Sequence, residues 1–89
     1  MYQLVTPMAV KLALRKIIAR KNLERAEAGE GPLTQVEIAA GSKVSQSVVS
    51  TLLNGRSRRI DFDTINGLCG FLHIAPGDLF EYIPDEPQN

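Results

Sequence analysis

The sequence predicts an all-α domain of five helices without a sheet. The main observation is a helix-start signal that occurs four times, in which an apolar residue precedes a capping residue and a second apolar residue follows five positions after the first. The second observation is composition, because 44% hydrophobic and 22% charged residues are typical of a globular chain rather than a disordered one. We expect one domain over residues 1–83 and a short acidic, proline-containing tail over residues 84–89.

The first predicted helix is the longest. Thr6 is its expected cap and Pro7 its first residue, because proline is tolerated where the N–H has no helical partner. One side follows helical spacing and consists of Val10, Leu14, Ile17, Ile18 and Lys21. The other side is basic. Glycine and proline within residues 29–32 must end the helix, whose last residue we expect between positions 21 and 28.

The second and third helices are predicted close together. Thr34 and Glu37 form a capping box before a helix from Gln35 to about residue 40. Ser45 caps a helix over residues 46–53. The connection over residues 41–44 is so short that the two helices must cross sharply, as in a helix-turn-helix. Their inner seam is predicted to be Ile38, Ala39, Val44, Val49 and Leu52.

The last two helices begin with different caps. Asp61 caps the fourth with its carboxylate. Ala75 has no side-chain acceptor, and Pro76 at the first helical position supplies the start signal instead. We expect the two chain ends, residues 1–5 and 84–89, to be short and loose.

The charges are divided between the two parts of the chain. All ten Lys and Arg residues lie between Lys11 and Arg59, and the first 60 residues have a net charge of +6. The remaining 29 residues carry six carboxylates and no Lys or Arg, so their net charge is −6. This separation indicates a surface that binds a polyanion, although the total formal charge is zero.

The outer face of the third helix has the composition of a surface that reads bases. Its residues are Gln46, Ser47, Val48, Ser50 and Thr51. Glutamine bonds adenine bidentately, serine bonds several base edges, and a methyl group contacts the thymine methyl. Three arginines follow the end of this helix at Asn54-Gly55, namely Arg56, Arg58 and Arg59. Arginines at this place indicate phosphate anchors.

The motifs resemble the lambda-repressor/Cro-like (XRE) helix-turn-helix family. The resemblance lies in Leu33–Ala39, Val44–Gly55 and the segment from Asp63 to Tyr82, and with the first helix it covers roughly residues 8–84. It implies a compact five-helix DNA-binding domain in which helices two and three form the helix-turn-helix. It also implies that Gln35 bonds a phosphate and braces Gln46.

The resemblance and the arginine cluster together give a set of expected phosphate contacts, namely Gln35, Lys43, Ser45, Asn54, Arg56, Arg58 and Arg59. The chain departs from the family at the corner of the turn, where Lys43 takes the place of glycine and Gly41 lies two residues earlier. The corner is either strained by about 1 kcal/mol or built differently. The segment Asn22–Pro32 is longer than the family connection, and either extends the first helix or forms a loop against a second subunit or the DNA backbone.

Other classes of function are not expected. No stretch approaches a membrane span, and no signal peptide opens the chain, so we expect a cytoplasmic, nucleoid-associated protein. One cysteine and one histidine give no disulfide and too few ligands for zinc, and no cofactor is expected. Cys69 and His73 stand four apart on the fourth helix, but we interpret them as an apolar residue and a helix end rather than as an enzyme's nucleophile and base.

The leading hypothesis is a sequence-specific regulator of transcription, acting as a repressor on double-stranded DNA. The alternative is an antitoxin-like or adaptor module whose main partner is a protein, which the acidic C-terminal segment favours. A homodimer is compatible with both. The aromatic residues are interpreted as core or dimer contacts, and they include Phe62, Phe71, Phe80 and Tyr82.

Overall fold

The described part of the chain contains five helices and a small sheet. The computed structural model describes residues 8–57 and 59–84. The elements in chain order are β1 (Met8–Leu12), α1 (Leu14–Glu27), α2 (Gln35–Ser42), α3 (Gln46–Leu53), α4 (Phe62–Leu72), α5 (Pro76–Leu79) and β2 (Phe80–Pro84). The predicted number of helices is confirmed, but the all-α expectation is wrong because the described chain contains two strands.

The strands form an antiparallel ribbon from the two ends of the described chain. Leu12 pairs with Phe80 and Val10 with Tyr82. The first helix was therefore predicted to begin too early, since residues 8–12 are β1; the expected cap and first helical residue, Thr6 and Pro7, lie outside the described residues. The resemblance extends to Tyr82, but α5 ends at residue 79 and the residues that follow it form β2.

Helix α1 packs one side on the core and ends at the predicted glycines. Leu14, Ile17 and Ile18 are buried. Gly29 has φ +80°, a left-handed conformation that glycine adopts without a steric penalty. The segment after position 22 thus extends the helix to residue 27 and then forms a loop. The Asn22 side-chain oxygen accepts a hydrogen bond from the Leu33 N–H at 2.8 Å, which fixes the end of this loop.

Helices α2 and α3 start at their predicted caps. The capping box is confirmed, with the Glu37 N–H donating to Thr34 Oγ1 at 3.1 Å and the Thr34 N–H donating to Glu37 Oε1 at 2.9 Å. Helix α2 ends two residues later than predicted, whereas α3 has the predicted bounds. Lys43 follows α2 with φ 59° and ψ 40°, so this corner is left-handed without glycine.

All five helices contribute buried residues to one core. Most of the predicted seam is buried, namely Ile38, Ala39, Val49 and Leu52, and Val44 packs against it half-buried. Helix α2 also lies very close to α4. A Cβ atom at Gly67 would overlap the carbonyl oxygen of Ser42, and one at Gly41 would overlap the Phe71 ring. These two glycines therefore allow the close approach of α2 and α4.

Helices α4 and α5 begin as predicted. The Asp61 carboxylate accepts the Thr64 N–H at 2.8 Å. Pro76 opens α5, and the Ala75 N–H donates to Asp78 Oδ2 at 3.3 Å, which supplies the capping contact that an alanine side chain cannot make. His73 ends α4 with φ 58°, as expected of a helix end.

Candidate nucleic-acid interface

Helix α3 presents a polar face to solvent because its apolar side is buried. Val49 and Leu52 are buried, and Ser45 Oγ accepts the Val48 N–H at 3.1 Å to begin the helix. The predicted base-reading residues Gln46, Ser47, Val48 and Thr51 are exposed, and Ser50 is half-buried. All five lie on this one short helix, so they share a surface about two turns long.

The side chains on this face differ in what they offer to a ligand. The Thr51 hydroxyl donates to the Ser47 carbonyl oxygen at 3.0 Å. Its oxygen remains an acceptor and its methyl group an apolar contact, but its proton is engaged within the helix. An amide such as that of Gln46 supplies both donors and an acceptor. Gln46 at the start of α3 therefore offers a ligand both donors and an acceptor, whereas Thr51 offers an acceptor and a methyl group.

A cleft of about 830 Å³ runs between α3 and the segment that leads to α4. It is lined by Ser47, Val48, Thr51, Leu52, Ser57, Arg59, Ile60, Asp61 and Thr64. The predicted anchor Arg59 therefore lies at the same surface as the polar face of α3. Its local conformation is held by Ser57, whose hydroxyl donates to the Arg59 carbonyl oxygen at 2.5 Å. Ser57, Asp61 and Thr64 were not predicted to line the cleft, because loop folding rather than spacing brings them there.

The other predicted phosphate contacts lie at helix ends. Gln35 is the first residue of α2, Ser45 is the cap of α3, Asn54 follows α3, and both Lys43 and Arg56 are in the connections. All of them are exposed. Gly55, which follows α3, is left-handed with φ +69°. Arg58 lies outside the described residues.

Several cations on the basic side predicted for the first helix make hydrogen bonds or ion pairs with other residues of the protein. Arg15 Nε donates to the Leu53 carbonyl oxygen at 2.5 Å, which fastens α1 to the last turn of α3. A cation at this place is favoured, because the carbonyl groups of a helix C-terminus carry a partial negative charge. Lys16 pairs with Glu81 at 2.8 Å and Arg25 with Glu30 at 3.5 Å. Lys11 belongs to β1 rather than to the helix. No spacing rule in the sequence indicates the Arg15 contact, because its partner is 38 residues away.

The carboxylates of Glu37 and Asp61 accept hydrogen bonds from backbone N–H groups at the starts of α2 and α4. Hydrogen bonds from the side chain and backbone of Thr64 hold the pKa of Asp61 below its ordinary value. A backbone hydrogen bond from Thr34 does the same for the pKa of Glu37. Each negative charge faces the partial positive charge of a helix N-terminus, which stabilises it.

Cys69 has the environment of a packing residue. It lies half-buried against the core, and burial, with a smaller contribution from the charge of Asp78, raises the pKa of its thiol. An activated cysteine nucleophile needs the opposite shift. Among residues 8–57 and 59–84, no three His, Cys, Asp or Glu side chains are grouped to bind a metal ion. In the same part of the chain, none of the helices has the length and apolar character to span a membrane.

Comparisons with known proteins identify the family. The Cro/C1-type HTH DNA-binding domain matches residues 12–85, which include all five helices. The chain is also 30% identical over 54 residues to a Bacillus subtilis (strain 168) protein named "Uncharacterized HTH-type transcriptional regulator YozG". That match covers 61% of this chain and 64% of the relative, slightly less than two thirds of its length. No solved structure matches the chain significantly. Because the family match spans most of the sequence, the chain belongs to the XRE-like family of Cro/C1-type helix-turn-helix DNA-binding domains.

Proposed function

We propose that this protein is a sequence-specific regulator of transcription that binds duplex DNA and acts as a repressor. In this proposal α2 and α3 form the helix-turn-helix, and α3 lies in the major groove. The observation that carries the proposal is the eight-residue helix α3, whose apolar side is buried and whose polar side is exposed beside Arg59. The name of the Bacillus subtilis relative, an HTH-type transcriptional regulator, supports it.

The base-reading role falls to the exposed residues of α3. The major groove of B-form DNA is wide enough for one helix, and each base pair presents a distinct pattern of donors and acceptors there. Gln46 and Ser47 at the first turn offer hydrogen bonds to base edges. Val48, which is 38% exposed, offers a methyl contact to thymine. Ser50 and Thr51 complete the surface.

The anchoring role falls to residues at both ends of α3 and at the start of α2. Gln35, Ser45 and Asn54 offer neutral hydrogen-bonding groups at helix ends. The cationic contacts are Lys43, Arg56, Arg58 and Arg59. Contacts of this type hold a protein in register on the duplex without distinguishing sequences. We infer repression because occupation of a site that overlaps a promoter is enough to block transcription.

Selection from a random duplex library, followed by binding measurements at several salt concentrations, tests the proposal. We expect an enriched motif and an affinity that falls steeply with salt. Five phosphate contacts give a slope of about −4.5 in log affinity against log salt, from ~0.9 per neutralised phosphate. If no motif is enriched and the affinity is insensitive to salt, the proposal is wrong. Copurification of a stoichiometric protein partner would then favour the antitoxin-like or adaptor alternative.

A further inference from the structure

We propose that a cavity between β1 and the end of α3 binds a small organic anion, namely an apolar body that carries one carboxylate. The cavity has a volume of about 470 Å³. Sites for small molecules usually measure about 300–1,000 Å³. The lining comes from β1, the start of α1, the last turn of α3, the loop before α4 and the first residue of β2. Binding of this ligand does not depend on the proposed DNA-binding function.

The apolar part of the lining belongs to the core. Leu14 and Leu52 are buried, and Leu12 and Phe80 pack half-buried against the core cluster. An apolar group that enters such a cavity leaves water and is stabilised by burial. This part of the lining therefore fits an alkyl chain or an aromatic ring.

The charged side chains of the lining are all cations. They are Lys11, Arg15 and Arg59, and no Asp or Glu is among the lining residues that the structure describes. The ion pairs found within the described ranges involve other cations, Lys16 and Arg25, so no carboxylate of these ranges neutralises the three. Charges of one sign around a cleft with apolar walls attract an ion of the opposite sign. The head group of the ligand is therefore an anion.

Arg15 is held in place to receive this head group. Its Nε donates to the Leu53 carbonyl oxygen at 2.5 Å, and its two terminal nitrogens have no hydrogen-bond partner among residues 8–57 and 59–84. These nitrogens can donate to a carboxylate, and charge-assisted hydrogen bonds of this kind are short and strong. We infer that Arg15 binds the protein with one nitrogen and the ligand with the other two.

The nearby helix ends do not oppose an anion. The last four carbonyl groups of a helix have no partner within it, and free carbonyl groups carry partial negative charge. At the end of α3, the N–H groups of residues 54–56 donate to three of these oxygens at 3.0–3.2 Å, and Arg15 donates to the fourth. Helix α1 has no acidic residue in its first turn. The carbonyl groups are thus paired, and the start of α1 keeps its partial positive charge.

The same ligand would compete with DNA for Arg59, a step that rests on the proposed function. Arg59 and Ile60 line both this cavity and the cleft beside α3. A guanidinium that binds a carboxylate bidentately cannot bind a phosphate in the same way. We therefore expect the bound anion to weaken DNA binding by removing one phosphate contact.

Amide NMR titration of the full chain with octanoate, octan-1-ol and octylammonium tests the site. The three probes share an apolar body and differ in charge. Octanoate should give saturable shifts at residues 10–15 and 52–57, and octylammonium should bind at least about tenfold more weakly. If octanoate does not saturate below about 10 mM, the proposal is overturned. Equal affinities for octanoate and octylammonium would overturn it as well.

Two arginines of α1 provide matched variants. Arg15→Gln should weaken octanoate binding by about tenfold, because it removes a cation from the cavity. Arg20→Gln should leave the affinity unchanged, since Arg20 is exposed on the same helix and does not line the cavity. Lys11→Gln removes a lining cation without changing the contact to α3, and should weaken octanoate binding even if Arg15→Gln fails to fold. If neither lining variant binds octanoate more weakly than Arg20→Gln, the proposal is wrong.

DNA binding in octanoate, compared with acetate at equal concentration, tests the competition. Acetate has the same charge but no apolar body to fill the cavity. Saturating octanoate should make the salt slope of the wild type shallower by about 0.9, whereas Arg59→Ala should show no further change. A chain that binds octanoate and a selected duplex independently contradicts the competition for Arg59. A chain that binds octanoate but no duplex contradicts only the proposed function.

Discussion

Two residues hold the backbone in a left-handed conformation that normally favours glycine. Lys43 follows α2 with φ 59°, and His73 follows α4 with φ 58°. In this region a Cβ atom approaches the neighbouring carbonyl oxygen at a cost of roughly 1–2 kcal/mol. Both residues carry this cost, but only Lys43 lies between the two helices of the proposed DNA-binding unit. Comparing Lys43 with His73 therefore separates the steric cost of the left-handed backbone, which both residues carry, from a contribution to DNA binding, which is proposed for Lys43 alone.

Replacing either residue by glycine should stabilise the protein. We expect Lys43→Gly and His73→Gly each to raise the free energy of unfolding by up to about 1 kcal/mol, because the steric cost is larger than the added chain entropy of glycine. Urea denaturation measures this effect. Only Lys43→Gly should weaken DNA binding, and equally for all sequences, since it removes a charge near phosphates. Equal DNA affinity of both variants would show that Lys43 is not a phosphate contact.

Among the helices, the contact between α2 and α4 depends on the absence of a side chain at Gly67. Gly67 in α4 lies so close to Ser42 in α2 that a methyl group would overlap a backbone carbonyl oxygen, which cannot rotate away. Gly70 lies on the same helix, and a Cβ atom there would have no neighbour within 4 Å. Substitutions at these two glycines therefore test whether the close approach of α2 or helix propensity determines the effect of a side chain on the stability of α4.

Alanine substitutions at these positions should have opposite effects. Gly67→Ala should lower the free energy of unfolding by about 1–3 kcal/mol, the usual cost of overpacking. Gly70→Ala should be neutral or stabilising by up to ~1 kcal/mol, since alanine favours helix. Thermal or chemical unfolding distinguishes the two variants. If both substitutions stabilise the protein, α2 and α4 are farther apart than the structure indicates.

The helices could be predicted from the sequence because their signals are local. Ser45 as cap and Gly55 in the left-handed region lie within a few residues of the helix they bound, and α3 has its predicted bounds. The strands could not, because β1 pairs with a segment at the other end of the chain. Val10 misled the prediction, since it stands four residues before Leu14 and so fits helical spacing as well as strand alternation.

The candidate site shows the same division between local and distant contacts. The exposed face of α3 followed from the buried positions of the same helix, so its residues could be proposed from spacing alone. The contribution of Ser57 and Asp61 to the cleft depends on the path of the connecting loop. The contact of Arg15 with Leu53 joins distant segments, which no periodicity predicts.

At the scale of the whole molecule, folding redistributes the two opposite charges of the sequence. In the acidic part, Asp61 and Asp78 cap helices and Glu81 pairs with Lys16. In the basic part, Arg15 and Arg25 bind within the protein. Arg59 is exposed beside α3. Part of the positive charge of α1 is therefore taken up by contacts within the protein, whereas Lys43, Arg56 and Arg59 are exposed near the ends of α3.

In the proposed complex, α3 reads bases while the segment after it anchors phosphates. The most direct measurement compares Gln46→Ala with Arg59→Ala against the selected duplex and its single-base variants, over a range of salt. Gln46→Ala should cost about 1–3 kcal/mol and relax preference at one position, with the salt slope unchanged. Arg59→Ala should weaken binding to all duplexes alike and make the salt slope shallower by about 0.9. If the two variants lose the same affinity on every duplex with the same salt dependence, α3 and the segment after it do not have these separate roles.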